Sequence, residues 1–133
     1  MKILLVGGHM KLGYLAKLLK SNGHDVTIIN TDKQLCEMLS DSHEVFSICG
    51  DGTKSSVLES ANASSMDAVI ALTGNDASNL IICEISKKQF NIQTTLSIVN
   101  NPQNINMFKE LGVDKCISTI QLFADFIEQT SIK

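Results

Sequence analysis

The stretch Ile3-Leu4-Leu5-Val6-Gly7-Gly8-His9-Met10-Lys11-Leu12-Gly13 decides the architecture of this chain. Four consecutive apolar residues read as a strand buried on both faces. The paired glycines then let the backbone turn sharply, with no Cβ to obstruct positive φ. Beyond them Leu12, Leu15, Ala16 and Leu19 recur at helical spacing, so the turn opens into an amphipathic helix. Strand, glycine turn and helix make the first half of a nucleotide-binding βαβ unit. The helix N-terminus offers a phosphate unpaired N–H groups and a positive dipole end.

The fingerprint itself is irregular. The usual pattern is G-x-G-x-x-G directly after the strand. Counted from Gly7, its second and third glycines fall at His9 and Leu12. Counted from Gly8, the last is recovered at Gly13 while Met10 takes the middle position. The middle glycine lets backbone approach a pyrophosphate, and either register places a bulky side chain there. The stretch therefore speaks more strongly for the fold than for the ligand.

At 133 residues the chain has the size of one domain, and its 44% hydrophobic content with a single Pro indicates a compact globular core. A net charge of -3 argues against a general nucleic-acid or membrane-surface binder, both of which want basic patches. All eleven basic residues are Lys, so no guanidinium fork is available to clamp a phosphate. Cys36, Cys49, Cys83 and Cys116 lie far apart without metal-ligand spacing. They read as small core hydrophobes in a reducing compartment rather than as disulfides or a zinc site. No apolar run approaches a signal-peptide core or a membrane span, and the expected location is the cytoplasm.

Further strands are expected at residues 26–29, 45–49, 68–72, 94–99 and 115–118, with helices at 33–39, 57–61, 77–88 and from Asn100-Asn101-Pro102 through Leu111. Alternating strands and helices mean an α/β, Rossmann-like, doubly wound parallel sheet of about six strands with helices on both faces. The polar loops 7–13, 30–32, 50–53 and 73–76 each follow a strand, and right-handed crossovers bring them to one rim. Ligands of such sheets bind there, where the strand order reverses.

Read together, these loops resemble the N-terminal lobe of regulators of potassium conductance, the RCK, KTN or TrkA-N family. The similarity runs through Gly50-Asp51-Gly52-Thr53 and Asp67-Ala68-Val69-Ile70-Ala71-Leu72-Thr73-Gly74-Asn75-Asp76. It continues through Asn79-Leu80, Val99-Asn100-Asn101-Pro102 and Phe108-Lys109-Glu110-Leu111-Gly112-Val113-Asp114, and so covers essentially the whole chain. The resemblance implies a non-enzymatic regulatory module that binds NAD(H) or an adenine nucleotide (ATP, ADP or AMP) and forms dimers or rings. Such modules control a potassium channel or transporter, which implies a peripheral position at the inner membrane face. By resemblance, Gly7, Gly8 and Gly13, with His9 and Met10 in the same loop, flank the phosphates. Asn30, Thr31 and Asp32 flank the adenosine ribose, Gly50, Asp51 and Gly52 the adenine, and Thr73 and Gly74 the far half of the ligand.

The chain departs from the family pattern at three places. The glycines are irregular, Asn30 stands where an acidic residue usually grips both ribose hydroxyls, and Ile98 occupies a position often held by Arg. A neutral amide has one acceptor oxygen where a carboxylate has two. Each loss is worth about 1–3 kcal/mol of binding by the scale of charged hydrogen bonds. Two alternatives therefore stand beside the sensor reading: a lobe that kept the fold as an oligomerisation scaffold and binds no nucleotide, and a small NAD-dependent oxidoreductase. Several of these residues also have plain structural readings. Asp32, Thr73 and Asn75 suit helix caps, Asp51 a turn, and Met10 a gap-filler. Residues 119–131 read as a helix with Leu122, Phe123, Phe126 and Ile127 on one face. That face either folds back on the sheet or, as the resemblance implies, packs against a second copy.

Overall fold

The computed structural model describes residues 1–9, 12–43 and 45–130. The strands are β1 (Lys2–Val6), β2 (Asp25–Asn30), β3 (Phe46–Cys49), β4 (Ala68–Ala71), β5 (Thr94–Ile98) and β6 (Lys115–Ile117). The helices are α1 (Leu12–Ser21), α2 (Lys33–His43), α3 (Ser55–Ser60), α4 (Asp76–Phe90), α5 (Ile105–Glu110) and α6 (Thr119–Gln129). All strand pairs are parallel and the order is β3-β2-β1-β4-β5-β6. The order reverses between β1 and β4, where Val6 lies opposite Ala71.

Strand β1 sits at the centre because it is apolar on both faces. Ile3 and Leu5 face a core completed by Leu12 and Ala16 of α1 and Leu35 and Leu39 of α2. Leu4 and Val6 face the opposite core, built with Leu58 of α3, Ile82 and Cys83 of α4 and Phe108 of α5. Successive side chains of a strand point to opposite faces, so one unbroken apolar run serves two layers of helices.

The expected helix from Pro102 through Leu111 divides in two. Asn101 accepts from Gln103 N at 3.1 Å, and Pro102 opens a tight 3-10 turn over Pro102–Asn104. Only then does α5 follow. Proline fixes the first residue of the turn, and the i to i+3 bond from Asn104 N to Asn101 O (2.9 Å) tightens it. Helix α2 runs four residues beyond its expected end at Leu39, and Asn91 closes α4 in a left-handed conformation. Away from the rim, Asp114 accepts from Thr95 N (2.8 Å) and pairs with Lys87 (2.8 Å), fixing the start of β5. The Lys87 ammonium, with the Thr95 bonds, holds the Asp114 carboxyl below the usual carboxylate range against some desolvation.

One expectation about side chains needs correction, and one open alternative is decided. Cys49 is exposed on the edge strand rather than buried, because β3 has a neighbour on one side only. Helix α6 does not fold its apolar face onto the sheet: Ile120, Phe123 and Phe126 are 66%, 64% and 65% exposed. Ser118 starts the helix by accepting from Gln121 N at 3.1 Å.

Candidate functional site

The carboxyl ends of β1, β2, β3 and β4 surround a cleft of about 320 Å³ at the point of strand reversal. That volume falls in the roughly 300–1,000 Å³ range of small-molecule sites. Val6, Ile29 and Ile82 form an apolar floor, and four polar loops form the walls.

The β1 loop is held tightly against β4. Gly7 N donates to Ile29 O at 2.8 Å, and Gly7 adopts φ +88°. A Cβ at Gly7 would lie 2.6 Å from Thr73 Cγ2 and 2.9 Å from Thr73 N. Only glycine satisfies both the positive φ and this approach. Gly8 follows at φ +95°, so two successive left-handed residues carry the backbone over the crevice.

At the end of β2, Asn30 is almost fully buried and its amide is engaged at both ends. Nδ2 donates to Gly8 O at 3.2 Å, while Oδ1 accepts from Asp32 N at 2.9 Å. The side chain thus fastens the glycine loop to the turn before α2. Asp32 turns to the helix, accepting from Leu35 N at 3.2 Å, and does not line the cleft.

The Gly50-Asp51-Gly52-Thr53 loop is self-supporting. Asp51 Oδ1 accepts from both Thr53 N (2.9 Å) and Thr53 Oγ1 (2.8 Å). These bonds, backbone first, lower the Asp51 pKa, so the carboxylate is charged at neutral pH. Its Oδ2 has no protein donor among the described residues. A Cβ at Gly52 would fall 2.2 Å from Val6 Cγ1, so the loop lies directly on the floor.

The β4 loop is fixed by a fully buried residue, Asn79. Its Oδ1 accepts from Thr73 N (2.9 Å) and Thr73 Oγ1 (2.6 Å), and its Nδ2 donates to Thr73 O (3.0 Å) and Ile98 O (3.2 Å). Asn75 caps α4 by accepting from Ser78 N at 2.9 Å. Asp76 then gathers the Asn100–Asn104 segment. It accepts from Asn100 N (2.7 Å), Asn101 N (3.0 Å) and Asn104 Nδ2 (2.8 Å). Burial pushes the Asp76 carboxyl up, but these donors together outweigh it and leave the pKa lowered.

Of the residues singled out in the sequence, Gly7, Gly8, His9, Asn30, Thr31, Gly50, Asp51, Gly52, Thr73 and Gly74 line the cleft. Gly13 does not; it is buried within the first turn of α1. Met10 lies outside the described residues. Thr53, Asn75 and Ser78 also line the cleft. Their signal was present in their neighbours, since each lies within a loop or helix start already marked by Gly or Asx. Among the described lining residues the titratable side chains are His9 and Asp51, and none is Lys. An anion here would be met chiefly by backbone N–H groups and the start of α4, a helix-terminus arrangement.

A family model described as the TrkA-N domain matches residues 3–119. The chain belongs to the TrkA-N domain family. Over 129 residues it is 37% identical to the Trk system potassium uptake protein TrkA homolog of Methanothermobacter thermautotrophicus, covering 97% of this chain and 59% of that protein. It therefore spans about three-fifths of that relative's length.

Three solved structures share this fold. The TrkA-N domain of the inner membrane protein ybaL from Escherichia coli superposes with a TM-score of 0.89 at 14% identity, covering 98% of this chain and 96% of that one. The Kef CTD of Shewanella denitrificans in its AMP-bound form gives 0.78 at 14% identity, with 98% and 82% covered. The GsuK channel bound to NAD gives 0.76 at 17% identity, with 87% and 21% covered. At such identities these likenesses establish the fold. No helix among the described residues is long and apolar enough to cross a membrane.

Proposed function

We propose that the rim cleft binds the adenosine and phosphates of NAD(H) or an adenine nucleotide, and that the chain is the nucleotide-responsive lobe of a potassium uptake or channel system. The observation that carries this reading is the meeting of four strand-end loops over the β1–β4 crevice, with Gly7 and Gly8 leaving backbone rather than side chain at its centre. In this reading the Gly7–His9 backbone and the start of α4 face the phosphates. Thr31, Gly50 and Asp51 flank the adenosine, and Oδ2 of Asp51, which has no donor among the described residues, accepts from a hydroxyl or amino group of the ligand. Thr73 and Gly74 contact the far half. Asn30 acts indirectly, by holding the glycine loop in place.

The role is regulatory rather than enzymatic. Asp51 is charged and tied to Thr53, and His9 is the other titratable side chain of the described lining, which is a poor acid–base pair for hydride chemistry. The membrane subunit of a potassium transport system is the partner in this proposal, supported by the naming of the Methanothermobacter relative. The exposed face of α6 pairs with the same face of a second copy, since an apolar stripe of this kind is costly in water. Occupancy of the cleft changes the geometry of the paired lobes only insofar as the nucleotide binds two arrangements unequally.

Titration calorimetry with NADH, NAD, ATP, ADP and AMP tests the reading. Saturable heat with at least one of them is the expected result. Absence of heat with all five leaves the scaffold alternative, and turnover of NADH with a carbonyl substrate would instead make the chain an oxidoreductase.

A further inference from the structure

Two cysteines that are thirteen positions apart in sequence meet at the β2–β3 end of the rim. Cys49 is the last residue of edge strand β3, in register with Asn30 of β2, and is exposed. Cys36 lies on α2, packed over the same strand ends and 4% exposed. Its thiol donates toward Asn30 O (3.5 Å) and Ile48 O (3.7 Å). The Cys49 thiol in turn donates toward Thr31 O at 3.7 Å. Both sulfurs are therefore arranged around the Asn30–Thr31 backbone, one accessible and one shielded. The other two cysteines lie elsewhere, Cys116 half-buried on β6 with its thiol donating toward Ile105 O at 3.8 Å. Cys83 is 2% exposed and burial pushes its thiol up to about 12, which removes the thiolate that exchange requires.

We propose that Cys36 and Cys49 form a reversible dithiol–disulfide couple, a thiol-exchange site at the adenosine end of the rim whose substrate is a low-molecular-weight disulfide. Cys49, the accessible sulfur, is the attacking group. Its thiolate displaces one thiolate from the small disulfide, giving a mixed disulfide on Cys49 and releasing one small thiol. The neighbouring Cys36 then loses its proton to solvent and attacks the Cys49 sulfur, releasing the second small thiol. The protein gives up two electrons and two protons, and the small disulfide is reduced to two thiols. Desolvation, with the neighbouring Cys49 second, raises the Cys36 thiol, so Cys36 suits the resolving role and not the attacking one. The link would tie α2 to the end of β3 across the turn whose carbonyls both thiols address. The site stands on the thiol geometry alone and does not require that a nucleotide bind.

The test uses the full chain incubated with oxidised glutathione, followed by alkylation and peptide mass mapping. The expected product has lost the mass of two hydrogens, links the Cys36 and Cys49 peptides, and reverts with dithiothreitol. The double variant C83S/C116S is expected to form the same link, and C36S is expected to stop at a glutathione adduct on Cys49. A wild-type chain that accumulates that adduct while Cys36 remains open to alkylation after unfolding overturns the proposal. So does a link that uses Cys83 or Cys116, or no modification at all. The wild-type map decides between these outcomes whether or not C36S folds.

Discussion

Asn30 holds Gly8 through a single amide: its Nδ2 donates to Gly8 O at 3.2 Å from a position that is 4% exposed. An acid at this position could not make that bond, because a carboxylate has no donor and would face the carbonyl oxygen. Asn30→Asp is therefore expected to destabilise the lobe by about 1–3 kcal/mol, the cost of leaving buried polar groups unpaired. Urea denaturation at neutral pH measures it. An unchanged midpoint would show that the amide bond to Gly8 contributes nothing.

Asp76 is the second knot at the rim. Its folded pKa lies below the ordinary value of 3.8, as do those of Asp51 and Asp114. The sign follows from linkage. A depressed folded pKa contributes stability fully above the unfolded value, and that contribution disappears as pH falls through the folded pKa. The lobe is expected to lose stability on acidification from about pH 5 downward, through the carboxylate range. Asp76→Asn should lower stability at pH 7 by about 1–3 kcal/mol, because it removes a charged acceptor of backbone N–H bonds. It should also flatten the acid limb of the stability curve. Equal acid slopes for the variant and the wild type would show that Asp76 is not part of it.

Gly7 sets the distance between β1 and β4 at the crevice. Gly7→Ala brings a methyl group to 2.6 Å from Thr73 Cγ2 and 2.9 Å from its backbone nitrogen, at φ +88°. The backbone of Thr73 is itself held by Asn79, so it cannot easily retreat. The variant is expected to lose about 1–3 kcal/mol of stability through overpacking. It should also bind any nucleotide accepted by the wild type at least about tenfold more weakly, a difference of ~1.4 kcal/mol. Denaturation and calorimetry on the same preparation separate the two effects.

The fold was legible in the sequence because its signals are local. Ile3–Val6 reads as a doubly buried strand before any partner is known, and glycine or Asx residues mark every turn at the rim. What each side chain does at the rim was less legible, because it depends on contacts between segments. Asp32 has the chemistry of a ribose ligand and of a helix cap in equal measure, and only its bond to Leu35 N separates the two. Asn30 reads as a weakened ribose ligand until its amide is seen reaching Gly8, twenty-two positions away. Asn79 stood in a matched segment with no assigned task, and its four bonds around Thr73 and Ile98 appear only once β4 and β5 are adjacent. Cys36 and Cys49 fail every spacing rule for paired thiols because a helix and a strand, not a short loop, bring them together.

The uncovered face of α6 gives the most direct test of assembly. Phe123 and Phe126 are 64% and 65% exposed, with Leu122 and Ile127 beside them, and Ser118 caps the helix so that the face is presented in order. If two copies bury this face against each other, the wild type sediments as a dimer and its denaturation midpoint rises with protein concentration. The double variant F123E/F126E places like charges where the two faces would meet. It is expected to sediment as a monomer, with a midpoint independent of concentration. Both side chains lie outside the two core clusters, so the sheet and its helices should keep their stability to within about 0.5 kcal/mol when the variant is compared with dilute wild type. A wild type that is already monomeric across the accessible concentration range would remove the pairing role of α6, leaving the cleft assignment untouched.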